Sequence, residues 1–370
     1  MAPRNHQLTT RKETTVGTQR LDTVVIGGGQ AGLATGYHLA RHHTDFVILD
    51  AGQRVGTAWR DRWDSLRLFT PARFDHLPGM PFPAAGGYFP TKGEMADYLE
   101  DYAVRFHLPI ELGARVDELG RDGNGFLITA GHRSLEARQV VVATGAATTP
   151  RVPGFAEQLD PAIVQLHSAD YRNPGRLREG AVLVVGAGNS GAEIALELAR
   201  THRTWLAGRD TGRIPITLGG TIFQAMNRLL TVDTRLGRRF AAQGAGRGTP
   251  LVRVRPQDLT DAGVQRAPRV RGVRDGRPVL DDGHVLEVDN VVWCTGFARD
   301  YRWIRLPVFG PSGDPVHHRG VVDAEPGLYF VGLPLQYSLA SSLVGGVGAD
   351  AQHLVEQIAA RQIAAAPARA

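Results

Sequence analysis

Two segments of the sequence, residues 24–40 and 184–199, have glycines at the spacing G-x-G-x-x-G followed by small and apolar residues. In a strand–turn–helix unit each of these glycines has its own purpose: a tight bend, room for a pyrophosphate at the backbone, or close packing of helix on strand. The spacing therefore indicates two dinucleotide sites in one chain. The glycines are Gly27, Gly29 and Gly32 in the first segment and Gly186, Gly188 and Gly191 in the second.

The residues around the first glycines complete a nucleotide-binding unit. Leu21–Ile26 is typical of a buried parallel strand, and Gln30–Arg41 has a helical pattern. The N-terminus of that helix would face the phosphates with its unpaired N–H groups. Phe46–Leu49 is predicted to be the next strand, and Asp50 at its end can accept hydrogen bonds from ribose hydroxyls. A glycine-rich turn that binds no ligand is the alternative.

The second unit repeats this order with one difference. Its strands are predicted at Val182–Val185 and Thr204–Ala207, on either side of a helix at Asn189–Arg200. Asp50 lies 23 positions after the first glycine of its unit, and the same offset in the second unit gives Arg209. A carboxylate repels the 2′-phosphate of NADPH, whereas an arginine can bind it through charge-assisted hydrogen bonds. The first unit therefore suits FAD or NAD, and the second suits NADPH.

The neighbouring Asp210 leaves NADH open as an alternative. If the strand ended one residue later, Asp210 would stand in the place of Arg209 and could bind the ribose of NADH. With either nucleotide, two dinucleotides in one chain are typical of a flavoprotein in which FAD stores the electrons that a pyridine nucleotide delivers.

A predicted strand within Val140–Pro150 ends in Thr144 and Gly145. The same pattern, a strand that ends in Thr-Gly, occurs within Val291–Phe297. We interpret both as crossings between domains. The predicted fold is α/β, with two Rossmann-like dinucleotide-binding domains and the NADPH domain inserted in the FAD domain. The expected bounds are 1–20 for a disordered N-terminal tail, 21–150 and 291–370 for the FAD-binding domain, and 151–290 for the NADPH-binding domain.

Composition excludes several classes of protein. The hydrophobic share of 42% fits a globular protein with a full core, and no run of roughly 18 apolar residues could span a membrane. The net charge of +5 comes from arginines scattered along the chain, so nucleic acid is not expected as a partner. The densest group of arginines is predicted to be a solvated face: Arg266, Arg269, Arg271, Arg274 and Arg277.

Cys294 is the single cysteine of the chain, which excludes an internal disulfide, a Cys-x-x-Cys redox pair and a cysteine-based zinc site. Its place on a predicted strand favours buried packing over reactivity. Residues 1–20 lack the apolar segment of a secretory signal, so a cytoplasmic location is expected. No metal site is predicted, and a homodimer is left open.

Three further segments are predicted to pack on these domains. Residues 57–90 form a long stretch rich in aromatics and prolines, typical of a functional loop rather than a disordered one. Residues 217–243 are predicted to form a helix whose apolar side packs on the NADPH domain; a cover for the substrate entrance and a membrane contact are the alternatives. Lys92–Phe106 is predicted to be an amphipathic helix with these core residues: Met95, Leu99, Tyr102 and Phe106.

Over almost its whole length after residue 20, the sequence resembles the class B flavin-containing monooxygenases, most closely the plant YUCCA-type indole-3-pyruvate monooxygenases and their bacterial relatives. The segments that carry the resemblance are GGGQAG at 27–32, WDSLRLFTPARFDHLPGMPFP at 63–83, FPTKGEMADYLEDYA at 89–103, VVATG at 141–145, HSADY at 167–171, VVGAGNSGAEIA at 184–195, CTGF at 294–297 and the FVGL…GVGADA region at 330–351.

The resemblance implies NADPH-dependent insertion of one atom of O₂ into a small organic substrate through a flavin C4a-(hydro)peroxide. Such an oxidant needs no side-chain general base, so no catalytic residue is named. The residues implied for FAD are Gly27, Gly29, Gln30, Ala31, Gly32, Asp50, Trp59, Leu66, Thr70, Val116, Thr144 and Gly145. Those implied for NADPH are Gly186, Gly188, Asn189, Ser190, Gly191 and Arg209.

The region around His167 departs from the family pattern. His167 matches the family's linker histidine, whose expected role is to order the domain junction; a histidine that is only hydrogen-bonded is the alternative. The signature before it is F-x-G-x-x-x-H, but residues 161–163 are Pro-Ala-Ile, and Tyr171 stands where the Baeyer–Villiger type has tryptophan. Residues 68–71 also lack the asparagine that animal-type amine and sulfide oxygenases carry beside the flavin.

The substrate is therefore left open among indole-3-pyruvate, an amine, a sulfide and a ketone. The alternative function is an NADPH-dependent flavin reductase or oxidase that passes electrons to a quinone or to O₂ without inserting oxygen. A flavoprotein that only senses redox state or scaffolds a complex is a further alternative.

Overall fold

The computed structural model describes residues 19–145, 149–244 and 250–365. The first unit has the predicted order of strand, helix and strand: β1 covers Gln19–Ile26, α1 covers Gln30–Arg41 and β2 covers Phe46–Asp50. α1 begins and ends at the predicted residues, and β1 begins two residues earlier than expected. Apart from those two residues, the tail predicted at 1–20 lies outside the described part of the chain.

The next segment has little regular structure but is held by backbone hydrogen bonds. Its helical turns are α2, Thr57–Arg60, and a short 3-10 helix at Ala72–Phe74. Leu68 N–H donates to the carbonyl of Pro90 at 2.8 Å, and Lys92 N–H donates to that of Leu66 at 3.1 Å. These bonds satisfy backbone groups that a strand or helix would otherwise pair, so residues 57–90 form an ordered loop, as predicted.

α3, Lys92–Arg105, begins with a capping box in which Thr91 and Glu94 each accept a hydrogen bond from the other's backbone N–H. Its predicted inner face is confirmed: Met95, Leu99 and Tyr102 are fully buried, and Phe106 packs partly buried beside them. Four strands follow: β3 at Ile110–Leu112, β4 at Glu118–Asp122, β5 at Gly125–Ala130 and β6 at Arg133–Val142.

The second unit also has the predicted order. Its elements are β7 at Thr149–Pro150, β8 at Val164–His167, β9 at Ala181–Val185, α4 at Asn189–Leu198, β10 at Arg203–Ala207, α5 at Thr221–Leu229, α6 at Arg235–Gly244, α7 at Pro256–Asp261, β11 at Gln265–Ala267, β12 at Val270–Arg274, β13 at Arg277–Leu280, β14 at Asn290–Trp293 and β15 at Phe297–Ala298.

The prediction of one helix over 217–243 was wrong, because the chain breaks between α5 and α6. The Thr234 hydroxyl accepts the backbone N–H of Gly237 at 3.0 Å, which is the bond of an N-cap residue, and so a new helix begins there.

The last part of the chain returns to the first sheet through β16, Leu328–Phe330, which lies parallel to β6. The path of that sheet is β3-β2-β1-β6-β5-β4. β5 pairs antiparallel with both β4 and β6, and the other pairs are parallel. α1 and α3 pack on one face together with the C-terminal α8, Val344–Ala365. A second core cluster contains the remaining apolar residues of this sheet, those of β4 and β5 included, together with loop residues such as Tyr301.

The second sheet has the order β11-β10-β9-β14-β8, and all its strands are parallel. The two crossings between the sheets meet, because β7 pairs with β15 in antiparallel register. β14 belongs to the second sheet, so the chain leaves it at Cys294, a few residues beyond the expected bound at 290. The predicted fold class, an α/β chain with one Rossmann-like unit inserted in another, is confirmed.

Two predictions about the surface can also be compared with the structure. The five arginines at positions 266 to 277 are exposed, as expected of a solvated face. In the part of the chain that the structure describes, no helix is both long enough and apolar enough to cross a bilayer.

Candidate functional site

The first glycine turn joins β1 to α1 so closely that two of its glycines have no room for a side chain. A Cβ on Gly27, whose φ is +113°, would lie 2.6 Å from the carbonyl oxygen of Ala143. A Cβ on Gly32 would lie 1.8 Å from the carbonyl oxygen of Gly27. At Gly29, in contrast, a Cβ would meet no atom within 4 Å. The turn is therefore tight on its inner side and open at Gly29, where a phosphate could approach the backbone.

The second turn reproduces this geometry. A Cβ on Gly186, at φ +110°, would lie 2.2 Å from the carbonyl oxygen of Cys294, and one on Gly191 would lie 1.8 Å from that of Gly186. Gly188 again has nothing within 4 Å of its Cβ position. Gly29 and Gly188 occupy the N-cap positions of α1 and α4 with nearly the same backbone angles, −78° and −173° against −78° and −171°.

Both helices begin without a side-chain cap and without an acid in the first turn. The N–H groups of a first turn have no partner within the helix, and the helix dipole favours an anion there. Each N-terminus is therefore suited to bind the pyrophosphate of a dinucleotide through backbone N–H groups, those of Gln30 and Ala31 in the first unit and of Asn189 and Ser190 in the second.

Asp50 lies over the first turn. Its Oδ2 accepts the backbone N–H of Gly28 at 2.6 Å, and its Oδ1 accepts that of Gly52 at 2.7 Å. The backbone N–H of Ala114 donates to the Asp50 carbonyl at 2.9 Å, which brings the segment containing Val116 alongside. Because the carboxylate is held in place and has lone pairs left, it could accept ribose hydroxyls as well.

The matching position in the second unit is the turn after β10. Gly208 lies against the glycine turn, since a Cβ on it would be 3.0 Å from the backbone nitrogen of Ala187. Arg209 and Asp210 follow and are both exposed. Asp210 Oδ1 accepts the backbone N–H of Gly212 at 2.8 Å, so its carboxylate stabilises its own turn.

Asn189 has a structural use that the sequence did not indicate. Its Nδ2 donates to the carbonyl of Pro250 at 3.0 Å, and its Oδ1 accepts the backbone N–H of Val252 at 2.9 Å. Both ends of the amide thus hold residues 250–252 beside the start of α4. The N-terminus of that helix is consequently bordered by this loop.

A hydrogen-bonded chain connects the first unit with two distant segments. Trp59 Nε1 donates to Gln30 Oε1 at 3.3 Å, and Gln30 Nε2 donates to the carbonyl of Ser342 at 3.2 Å. Leu66 and Thr70 are buried in the same loop as Trp59. The structure therefore joins two parts of the predicted FAD site, at Gln30 and Trp59, and adds Ser342, which the sequence analysis did not name. Thr144 and Gly145 follow β6 directly and are partly exposed.

Asp75 is a buried acid in this region that the sequence analysis missed. Its side chain is fully buried, the Thr70 hydroxyl donates to its Oδ1, and its Oδ2 has no partner among the described residues. Burial raises the pKa of Asp75 from 3.8 to about 7, although the hydrogen bond from Thr70 opposes the shift. A signal was present, because Phe74–Pro78 places this acid within an apolar stretch. Asp75 can therefore hold a proton near neutral pH beside the predicted flavin segment.

His167 lies where the chain leaves the second sheet. Its Nδ1 accepts the backbone N–H of Ala169 at 3.1 Å, so Nε2 carries the proton and can donate to the carbonyl of Gly296 at 3.0 Å. Burial lowers the pKa of His167, which keeps the ring neutral. The ring also contacts Phe297 edge-on, with centroids 5.0 Å apart. These contacts place His167 at the return crossing.

Polar contacts also join the loop to the second unit. Arg253 lies 3.7 Å from Glu193 of α4 and donates to the carbonyl of Arg67 at 3.2 Å. Burial raises the pKa of Glu193 to about 7. Nearby, the fully buried Tyr171 donates to Glu197 at 2.6 Å. The contacts of Arg253 therefore join α4 of the second unit to the loop of the first unit.

Within residues 19–145, 149–244 and 250–365, no group of His, Cys, Asp or Glu side chains could hold a metal ion. Cys294 lies against the second turn, where burial raises the pKa of its thiol to about 12. At that pKa the thiol stays protonated, so it is unsuited to act as a nucleophile.

The chain resembles known proteins along nearly its whole length. The family model for pyridine nucleotide-disulphide oxidoreductases matches residues 24–213. An uncharacterized CzcO-like oxidoreductase of Geobacillus kaustophilus is 41% identical, over 91% of this chain and 98% of its own. The probable indole-3-pyruvate monooxygenase YUCCA9 of Arabidopsis thaliana is 35% identical over 79% of each chain. The structure of a flavin-containing monooxygenase from Stenotrophomonas maltophilia is 32% identical, with a TM-score of 0.74 over 93% of this chain and all of that one.

These matches confirm the two predicted cofactors, FAD and NADPH. The residues described above fit them, because each turn is open at its second glycine and only the first unit ends its second strand in a carboxylate. The assignment of individual residues to each cofactor stays a prediction.

We expect Gly29→Ala and Gly188→Ala to separate the two sites. Neither change should alter the melting temperature of the apoprotein, since the added Cβ meets no protein atom within 4 Å. Gly29→Ala should weaken FAD binding by about tenfold or more, the effect of losing one charged hydrogen bond, and Gly188→Ala should weaken NADPH in the same way. Fluorescence titration with each cofactor measures this. Gly87→Ala, which is equally uncrowded, is the control. Loss of both cofactors in one variant would contradict two separate sites.

Asp75→Asn should gain stability over the wild type as the pH rises. Between pH 3.8 and about 7 the folded protein keeps a proton on Asp75 that the unfolded chain loses, so wild-type stability falls across this window. The variant avoids this loss, which amounts to up to about 4 kcal/mol at pH 8. Thermal melts from pH 4 to pH 8 measure the difference.

Asp64→Asn is the control with the opposite sign. Lys92 and Asn173 donate to the Asp64 carboxylate and lower its pKa, so this variant should be less stable than the wild type at neutral pH and equal to it in acid. If the difference in melting temperature between Asp75→Asn and the wild type does not change with pH, Asp75 has an ordinary pKa.

Proposed function

This chain belongs to the class B flavin-containing monooxygenase family, and we propose that it inserts one atom of O₂ into a small organic substrate with NADPH as the reductant. The observation that carries the proposal is the pair of glycine turns with matching N-cap angles in one chain, with a carboxylate after the first and an arginine after the second. A single cysteine leaves no internal disulfide pair to receive the electrons. We propose oxygen as the acceptor because relatives of this chain are named as monooxygenases.

FAD, when bound, supplies the oxygen-activating chemistry. We propose that the chain's own residues hold and shield it. The N-terminus of α1 and Asp50 would bind its pyrophosphate and ribose. The hydrogen bonds from Trp59 to Gln30 and from Gln30 to Ser342 would fix the loop and the C-terminal segment against it. The buried Leu66 and its neighbours would exclude water, whose entry wastes the oxidant.

In the second unit we propose that Arg209 selects NADPH. The guanidinium is exposed next to the glycine turn, where it could bind a 2′-phosphate. The Asp210 carboxylate already accepts the backbone N–H of Gly212, which supports a structural use for it rather than NADH binding.

For the substrate we propose an α-keto acid of the indole-3-pyruvate kind, because YUCCA9 and other relatives are named for that activity. Amines, sulfides and ketones are the comparison substrates. A cytoplasmic location stays a prediction.

The test is turnover under ¹⁸O₂ with NADPH and a panel of the four substrate types. We expect one substrate to raise NADPH consumption and to yield a product that contains one ¹⁸O atom, measured by mass spectrometry. The peroxide released per NADPH should fall at the same time. NADPH consumption that ends wholly as peroxide, with every substrate, would instead favour the oxidase or reductase. No consumption above that of free flavin would favour a non-catalytic flavoprotein.

Arg209→Ala should raise the NADPH dissociation constant by about ten- to a hundredfold, since a charged hydrogen bond contributes roughly 1.5–3 kcal/mol. The constant for NADH, which lacks the 2′-phosphate, should change little. Anaerobic flavin reduction at varied nucleotide concentration measures both constants. Arg274→Ala, an exposed arginine of the solvated face, is the matched control. Equal losses for both nucleotides would refute selection by Arg209.

A further inference from the structure

α5 has two apolar faces, and only one of them is covered. The covered face carries Phe223, which is buried, and Asn227, whose Oδ1 accepts the backbone N–H of Ala340 at 2.8 Å. The other face carries Ile222, Met226 and Leu229 at helical spacing. Their exposed fractions are 61%, 36% and 63%. Of the apolar residues predicted to pack on the NADPH domain, Phe223 is buried, whereas Ile222, Met226 and Leu229 are not. The hydrogen bond from Ala340 joins α5 to the C-terminal part of the chain instead.

The start of α6 extends this exposed face and is fixed to the body of the protein. Leu236 is 60% exposed. Just before it, the backbone N–H of Val232 donates to the carbonyl of Tyr337 at 2.9 Å, and Asp233 pairs with His318 at 2.9 Å. The exposed apolar residues therefore belong to a segment that polar contacts hold against the rest of the protein. We define the α5–α6 surface as these apolar residues and the arginines near them: Ile222, Met226, Leu229, Leu236, Arg228, Arg235, Arg238 and Arg239.

The charges on the α5–α6 surface are mostly positive. Four exposed arginines lie between or just after the apolar residues: Arg228, Arg235, Arg238 and Arg239. Arg238 also donates to the backbone carbonyls of Val232 and Asp233. The acid within this stretch is Asp233, which His318 already engages. Elsewhere in the described residues, large exposed apolar side chains such as Val104 and Ile363 occur singly along the sequence. Apolar residues flanked by arginines are typical of a helix that lies on an anionic membrane.

We propose that the α5–α6 surface docks this protein on an anionic lipid membrane. The apolar side chains would enter the headgroup region, and the arginines would bind lipid phosphates. Since no helix in the described residues can span a bilayer, such binding is peripheral and reversible. A second copy of the chain fits this surface poorly, because a two-fold contact would bring the same four arginines face to face.

Docking would also orient the protein, because the covered side of the same helix faces the cofactor region. A Cβ on Gly219, just before α5, would lie 2.5 Å from the ring of Phe74, the neighbour of Asp75. Ala340 bonds to α5, and Tyr337 bonds to the loop after α5. Both residues lie within five positions of Ser342, which bonds to Gln30. The membrane would therefore lie on the side of the molecule next to the loop that Trp59 and Thr70 belong to. The inference concerns binding and does not depend on the reaction.

The experiment is co-sedimentation of the FAD-loaded protein with vesicles of phosphatidylcholine alone or mixed with phosphatidylglycerol. We expect binding to the mixed vesicles that weakens several-fold from about 0.05 M to about 0.5 M salt. The double variant Ile222→Ser/Leu229→Ser should reduce the partition coefficient by about tenfold or more, since these side chains no longer bury apolar surface. The matched control, Ile363→Ser, removes an isoleucine of α8 that is more exposed than Ile222 and should bind like the wild type.

Retained FAD absorbance and an unchanged melting temperature show that the double variant is folded. The proposal is overturned if the wild type binds neither kind of vesicle, or if the double variant and Ile363→Ser bind equally. It is also overturned if light scattering shows a dimer that the double variant abolishes, because the surface would then join two copies. Since none of these readouts needs turnover, their failure is distinct from a failure of the proposed monooxygenase activity.

Discussion

The close approach of a helix start to a strand end, made twice, is the constraint on which the rest of this structure depends. In each unit, a Cβ added to the last glycine of the turn would lie 1.8 Å from the carbonyl oxygen of the first glycine. No side chain fits there, so the helix axis and the strand end are fixed relative to each other. The carbonyl oxygens of Ala143 and Cys294 close the two turns from the same side, which sets where each crossing strand must end.

The two turns are alike, and the differences between the units lie in what surrounds them. The first is completed by the C-terminal part of the chain, because Gln30 bonds to Ser342 and also receives a bond from Trp59. The second is bordered by residues 250–252, which Asn189 holds. One unit is thus enclosed by distant segments, as suits a cofactor that stays bound. The other has exposed residues after β10, as suits a nucleotide that comes and goes.

The sequence predicted the elements whose residues have a strong local pattern. α1 matches its predicted bounds, and α3 buries its predicted face, because glycine spacing and apolar periodicity act over one or two turns. The segment 217–243 was mispredicted because a threonine can lie within a helix or cap the start of one. Only the structure shows that the Thr234 hydroxyl accepts the Gly237 N–H and so begins a second helix. Asp75 was missed because a single acid between apolar residues such as Phe74 and Leu77 does not show by itself whether its carboxylate is buried or exposed.

The most direct test of the account is an anaerobic titration of the purified protein with NADPH, followed by flavin absorbance. The account predicts one FAD per chain, bleached completely by about one equivalent of NADPH, with full colour restored on admission of O₂. A chain that holds no flavin, or one whose flavin stays oxidised in excess NADPH, would contradict the claim that the two turns bind cooperating cofactors.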